Sequence, residues 1–244
     1  MSVPAMVGAD LAAIYHGERI GGDFYDFLRV SPNRILFGLL DVAGRHKENL
    51  GIVSAAQKRF RELGPGLFSG QDINEADAMI ELSLQLNRII LEAAGGVRSC
   101  PAFVGCYNED LGTICFSNAG HTPALLRDAA GIVRLPATGL PFGLFSHVTH
   151  DASTVALRDG AAILLVSRGV TESKRNGEEF GLERLKAAFE QTSLLGAEQI
   201  CTYILDAVEQ FTRVSPRHND VTALALSRHA TSQPGTTTPE QHSR

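Results

Sequence analysis

The sequence predicts an α+β domain of two packed, mostly antiparallel sheets with helices on their outer faces. Two observations lead there. The elements run strands, two helices, many strands, two helices, strand, and consecutive strands are joined mostly by hairpin turns. The run Ile35-Leu36-Phe37-Gly38-Leu39-Leu40 lacks period-two alternation, so it reads as a strand covered on both sides, as an inner layer must be. No linker or repeat divides the 244 residues, so residues 1–228 are taken as one domain. From His229 onward Ser, Thr, Pro and Gln dominate, which predicts a disordered tail over 229–244.

Composition narrows the classes. Apolar residues make up 44% and charged residues 20%, ordinary globular usage with enough material for a large core. A net charge of −5 without a basic block argues against nucleic-acid and anionic-membrane partners. The longest apolar run, Ala161 to Val166, is too short to span a bilayer. The opening MSVPAMVGAD has neither a basic region nor a long apolar core, so no secretory signal is expected. The four cysteines form no Cys-x-x-Cys pair and read as reduced thiols of a cytoplasmic protein, with Cys106 and Cys115 able to face each other across a hairpin.

In chain order, residues 9–20 alternate apolar positions (Leu11, Ala13, Tyr15) in an extended segment. Gly21-Gly22-Asp23-Phe24-Tyr25-Asp26-Phe27 follows, and a turn at Ser31-Pro32-Asn33 leads into the buried strand ending at Asp41. Residues 47–63 place Leu50, Val53, Ala56, Phe60 and Leu63 on one helical stripe, and Gly64-Pro65-Gly66 is expected to stop it. Residues 74–94 form a second helix, with Asn74 as N-cap, Glu75 and Asp77 in the first turn, and Gly95-Gly96 closing it. Its inward face is read as Ala76, Met79, Ile80, Leu86, Ile89, Ile90 and Ala93. Strands follow at 102–107 and 113–117, then 123–127 and 132–135, then 154–157 and 161–167. Helices are read at 181–191 and 197–212, and a last strand at 221–226.

The residues that bear chemistry stand where strands end. Asp23 and Asp26, Asp41, and Asp220 are carboxylates on rigid anchors, suited to a hard cation such as Mg²⁺ or Mn²⁺. Two such ions a few ångströms apart activate water for attack on phosphorus. Taken singly, each is also an ordinary turn or cap aspartate.

The combination is more specific. Gly-Gly-Asp-Phe-Tyr-Asp-Phe at 21–27, Leu-Asp-Val-Ala-Gly at 40–44, Asn-Ala-Gly-His-Thr-Pro-Ala-Leu-Leu at 118–126, Leu-Leu-Val-Ser-Arg-Gly-Val-Thr-Glu at 164–172 and Asn-Asp-Val-Thr-Ala-Leu at 219–224 occur in series. Together they resemble the SpoIIE-type branch of the PPM (protein phosphatase 2C-like) family, from about residue 8 to 228. Glu178-Glu179-Phe180-Gly181 is similar to the segment that opens the family's penultimate helix.

The resemblance implies an α-β-β-α sandwich. It implies removal of phosphate from Ser or Thr of a partner protein with two Mn²⁺ or Mg²⁺ ions and a bridging water. It further implies partner-switching pathways built on anti-sigma-factor antagonists. Asp41 then corresponds to the bridging aspartate, Val42 to the residue whose carbonyl binds an ion, and Asp23 to the acidic residue beside the metals.

Three departures stand against it. The motif at Asp41 continues Val42-Ala43-Gly44-Arg45-His46 where the family has Val-Ser-Gly-His-Gly. Ser167-Arg168-Gly169 stands where Thr-Asp-Gly supplies a ligand, and Asn219-Asp220 places Asn at another ligand position. Replacing Asp by Arg changes the local charge by two units, and Arg168 is able to fork onto Asp41 or Asp23 in the metal's stead. Asn219 still offers an amide oxygen, and Asp220 a carboxylate nearby. His121 and Arg45 are candidate phosphate contacts, although a histidine at a strand turn equally serves to bond backbone.

Three functions follow: an impaired phosphatase-fold regulator that acts by binding a phosphoprotein or regulatory partner; an active enzyme using Asp23, Asp41 and Asp220; or a small-molecule phosphohydrolase or ligand sensor on the same scaffold. Oligomeric state is left open.

Overall fold

In a computed structural model, residues 5–17, 23–42, 46–121, 124–213 and 220–229 are described, with residues 46–48 described in backbone only. The first sheet is ordered β1-β12-β9-β6-β7: β1 (Ala9–His16), β12 (Val221–Arg228), β9 (Ala162–Val166), β6 (Ala124–Asp128) and β7 (Gly131–Leu135). The second is ordered β2-β3-β4-β5-β8: β2 (Asp23–Ser31), β3 (Arg34–Asp41), β4 (Ala102–Asn108), β5 (Thr113–Ala119) and β8 (Ser153–Ala156). Every ladder within the two sheets is antiparallel. A small hairpin, β10 (Lys174–Arg175) and β11 (Glu178–Glu179), stands apart.

Three apolar layers give the order of packing. Leu36, Leu40 and Val104 of the second sheet pack against Ile52, Phe60, Met79 and Leu86, which lie on α1 (His46–Phe68) and α2 (Glu75–Ala94). Phe37, Leu39 and Phe103 meet Ile163, Leu165, Leu224 and Leu226 between the sheets. Leu164, Val166 and Ala223 on the far side pack against Leu185, Ile204 and Val208 of α4 (Gly181–Glu190) and α5 (Ala197–Thr212). The result is the expected α-β-β-α sandwich. β3, β9 and β12 each present apolar side chains to both faces, which is why their sequences carry no alternation.

The helix ends follow local chemistry, with one correction. Asn74 Oδ1 accepts from the N–H groups of Ala76 and Asp77, and Gly95 closes α2 at φ 60°. α1, however, does not stop at Gly64-Pro65-Gly66; it runs through Pro65 to Phe68. Gly64 lies against β3, where an added Cβ would stand 3.0 Å from Leu36 Cδ2, and Phe68 is fully buried. Burying Phe68 offsets the backbone bond that Pro65 cannot donate. The stripes are also rotated: Leu50 and Ala93 face solvent, while Ile52 and Leu82 are buried.

All four cysteines are free and buried. Cys106 and Cys115 are direct cross-strand partners. Burial pushes the Cys100 and Cys201 thiols up to about 12. Among the described residues no helix is long and apolar enough to cross a membrane. His229, the first residue of the expected tail, is instead held by its N–H to Gly8 O just before β1, and the rest of that tail, 230–244, lies outside the described residues.

Candidate functional site

The site lies where the two sheets end side by side. Asp23 opens β2 and Asp41 closes β3, and the ladder sets them directly opposite each other. Asp41 is almost fully buried and its N–H donates to Pro101 O at 2.8 Å. On the other sheet, β9 ends at Val166, and Ser167 and Arg168 enter α3 (Arg168–Thr171). Ser167 and Thr222 of β12 bond each other reciprocally: Ser167 N–H to Thr222 O at 3.0 Å, and Thr222 N–H to Ser167 Oγ at 3.0 Å. That pairing brings Thr222 Oγ1 to donate to Asp23 Oδ2 at 2.6 Å, across the seam between the sheets.

Arg168 closes the seam. Its Nε donates to Asp41 Oδ2 at 2.8 Å and its Nη2 to Asp41 Oδ1 at 2.9 Å, a two-pronged fork supplemented by its backbone N–H at 3.3 Å. Both carboxylate oxygens of Asp41 are thereby engaged by one guanidinium. The Asp41 carboxylate beside it holds the Arg168 guanidinium above its usual range.

Asp23 is perturbed in the opposite sense. Burial, opposed by hydrogen bonds from Ser167 and Thr222 and reinforced by the charges of Asp41 and Asp220, pushes its carboxyl up to about 7. Asp220, just before β12, is thus electrostatically part of the cluster. Gly17 lets the chain pass it closely: an added Cβ there would sit 2.1 Å from Asp220 Oδ1.

The other predicted residues fall differently. Val42 is buried, and its carbonyl accepts from Asn49 Nδ2 at 3.0 Å. His121 is buried at the turn after β5, where its N–H donates to Asn118 Oδ1 at 2.9 Å. Arg45 and Asn219 lie outside the described residues. Asp26, grouped with Asp23 by sequence, has no part in the cluster. It is fully buried and held by Arg61 Nε and Nη2 at 2.6 Å each, tying β2 to α1. Strand alternation accounts for this, because residues three apart point to opposite faces.

Ser167, Thr222 and Asn49 were not singled out from sequence. Ser167 and Thr222 sit inside quoted motifs. Asn49 carries no local signal beyond its place one turn into a helix.

Residues 31–229 match the family described as Stage II sporulation protein E (SpoIIE). The chain belongs to the SpoIIE family. Its similarities to individual proteins are more distant. It is 26% identical over 157 residues to the phosphoserine phosphatase RsbP of Bacillus subtilis (strain 168), covering 64% of this chain and 38% of RsbP. It is 23% identical over 229 residues to the phosphoserine phosphatase RsbU of the same organism, covering 93% of this chain and 65% of RsbU. The chain therefore spans between 38% and 65% of the length of these relatives.

Among solved structures, the RsbU and RsbW domains of a Mycobacterium tuberculosis protein superpose with a TM-score of 0.78 at 25% identity, covering 96% of this chain and 65% of that one. The PP2C phosphatase domain of Bacillus subtilis SpoIIE superposes with a TM-score of 0.74 at 15% identity, covering 92% and 63%, a likeness of fold alone. The SpoIIE-family sandwich is thus common to these chains, and the PPM phosphatase fold read from the sequence motifs is shown.

Proposed function

We propose that this SpoIIE-family chain is a regulatory protein that acts by binding a protein partner, with its phosphatase centre closed by an ion pair. The observation that carries this is the Arg168 fork on Asp41. Family members use Mn²⁺ or Mg²⁺, and such an ion needs carboxylate and carbonyl oxygens free to turn toward it. Here the Asp41 oxygens face a guanidinium, the Val42 carbonyl faces an amide, and burial pushes the Asp23 carboxyl up to about 7. Among the described residues no group of three or more His, Cys, Asp or Glu side chains is arranged to hold a metal. These contacts support a centre whose described residues do not fit two ions.

A protein partner is supported by the company the fold keeps. One similar structure is of RsbU and RsbW domains in a single protein, and two relatives are phosphoserine phosphatases by name. A phosphoprotein or regulatory partner of the partner-switching kind, bound in the cytoplasm, is the matching reading for this chain.

The test is Mn²⁺ titration by calorimetry together with hydrolysis of a phosphoserine peptide. Silence in both is expected; two-site micromolar binding, or turnover that Asp41→Ala abolishes, would defeat the proposal. The second reading, an active Mn²⁺- or Mg²⁺-dependent serine/threonine phosphatase, is favoured by one observation: Asp41 and Asp220 both lie within electrostatic reach of Asp23. The same turnover assay decides between them.

A further inference from the structure

The ion pair at Asp41 engages only the carboxylate. The next oxygen in the chain, the Val42 carbonyl, has its own nitrogen donor, and that donor comes from a different element. Asn49 lies one turn into α1 and is fully buried. Its Nδ2 reaches back seven residues to Val42 O at 3.0 Å, while Val42 itself is only 4% exposed.

We infer that Asn49 is a second built-in substitute for a divalent ion, a positioning residue whose amide claims the Val42 carbonyl independently of Arg168. This rests on the reading of the centre as closed. A carbonyl directly after a strand-end carboxylate is a natural hard-oxygen ligand. The Asn49 amide takes one of the two acceptor sites of that oxygen, so an ion needing the same site must displace a buried N–H donor from its bond, which is costly. Arg168 holds the carboxylate from α3 and Asn49 holds the carbonyl from α1, so each competes with an ion for a different ligand. Restoring the acidic ligands alone therefore leaves the amide competing for the carbonyl. The plainer role for Asn49, fixing a loop carbonyl at the start of a helix, accounts for stability but makes no demand on metal affinity.

The experiment separates the two. Mn²⁺ affinity is measured by calorimetry on the full chain carrying Arg168→Asp with Asn219→Asp. It is then measured on the same background with Asn49→Ala, and with Asn49→Leu, which keeps the bulk and removes the donor. Thermal unfolding in Mn²⁺ against EDTA gives a second readout. Both Asn49 variants are expected to bind Mn²⁺ about tenfold or more tightly than the doubly reverted chain, the factor that stranding one buried donor implies. Mn²⁺ should also raise their unfolding temperature further. Equal affinity with and without Asn49, including no detectable binding in all three, overturns the inference. If one Asn49 variant fails to fold, the other decides. Mn²⁺ binding by the native chain would sink the functional reading instead, and it is read on a different protein.

Discussion

Truncating Arg168 to alanine removes the guanidinium and leaves Asp41 with its carboxylate buried. The side chain of Asp41 is 8% exposed and that of Arg168 is 42% exposed. Breaking a fully buried pair from one side costs about 3–5 kcal/mol, whereas an exposed pair contributes ~0–1 kcal/mol. With one partner buried and the other at the surface, the fork lies between these limits, at about 2 kcal/mol. For a chain of this length that is a fall of roughly 4–8 °C in unfolding temperature. Urea and thermal unfolding near neutral pH measure it, and a double-mutant cycle with Asp41→Asn isolates the pairwise part. The truncation also frees the Asp41 carboxylate, which faces Asp23 across the ladder, so Mn²⁺ should restore part of the lost stability in Arg168→Ala by mass action while leaving the native chain unmoved. A loss below about 0.5 kcal/mol would class Arg168 with ordinary surface residues and refute the reasoning. So would a native chain that Mn²⁺ stabilises.

Asp23 predicts a pH dependence of the native chain. Its carboxyl rises from 3.8 to about 7 on folding, so between those values the folded chain holds the proton more tightly and stability falls as pH rises through that window. Asp23→Asn should flatten that slope and stabilise the protein at pH 8 by up to about 4 kcal/mol, at 1.36 kcal/mol per pKa unit; urea midpoints at pH 5 and pH 8 that keep their difference in the variant would contradict it. Arg61→Met removes the guanidinium from the fully buried Asp26 carboxylate, which keeps the Phe27 N–H and Gln57, and should cost about 2 kcal/mol, part of it recovered by adding Asp26→Asn, again by urea unfolding. Asn74→Ala removes the cap of α2 and should cost about 1 kcal/mol in the same assay.

The strands and long helices were legible because their cores impose periodicity or its absence over many residues. Gly64-Pro65-Gly66 misled because local punctuation reads as a stop, and only burial of Phe68 against the sheet carries α1 past it. Four-residue α3 and the two-residue strands β10 and β11 are too short for any period to register. The Arg168–Asp41 fork joins residues 127 apart, a separation that spacing rules do not reach. It was anticipated only because Arg stood at a motif position that should be acidic. Asp26 was misgrouped although alternation along β2 already set it on the face opposite Asp23. Asn49 was invisible, since its meaning lies in which carbonyl it meets, and a side chain's reach is a property of the folded loop.

β12, the last strand among the described residues, lies between β1 and β9 in the first sheet. During synthesis the first strand therefore waits for the final one, and β9 waits with it, each with an unpaired edge open to other chains. Thr222 and Asp220 arrive with β12, so the Asp23 seam closes only after β12 has been made. A chain shortened before residue 220 would then lose far more than its last few residues. It would lack an inner strand of one sheet and half of the polar seam, and would surrender two sticky edges to its neighbours.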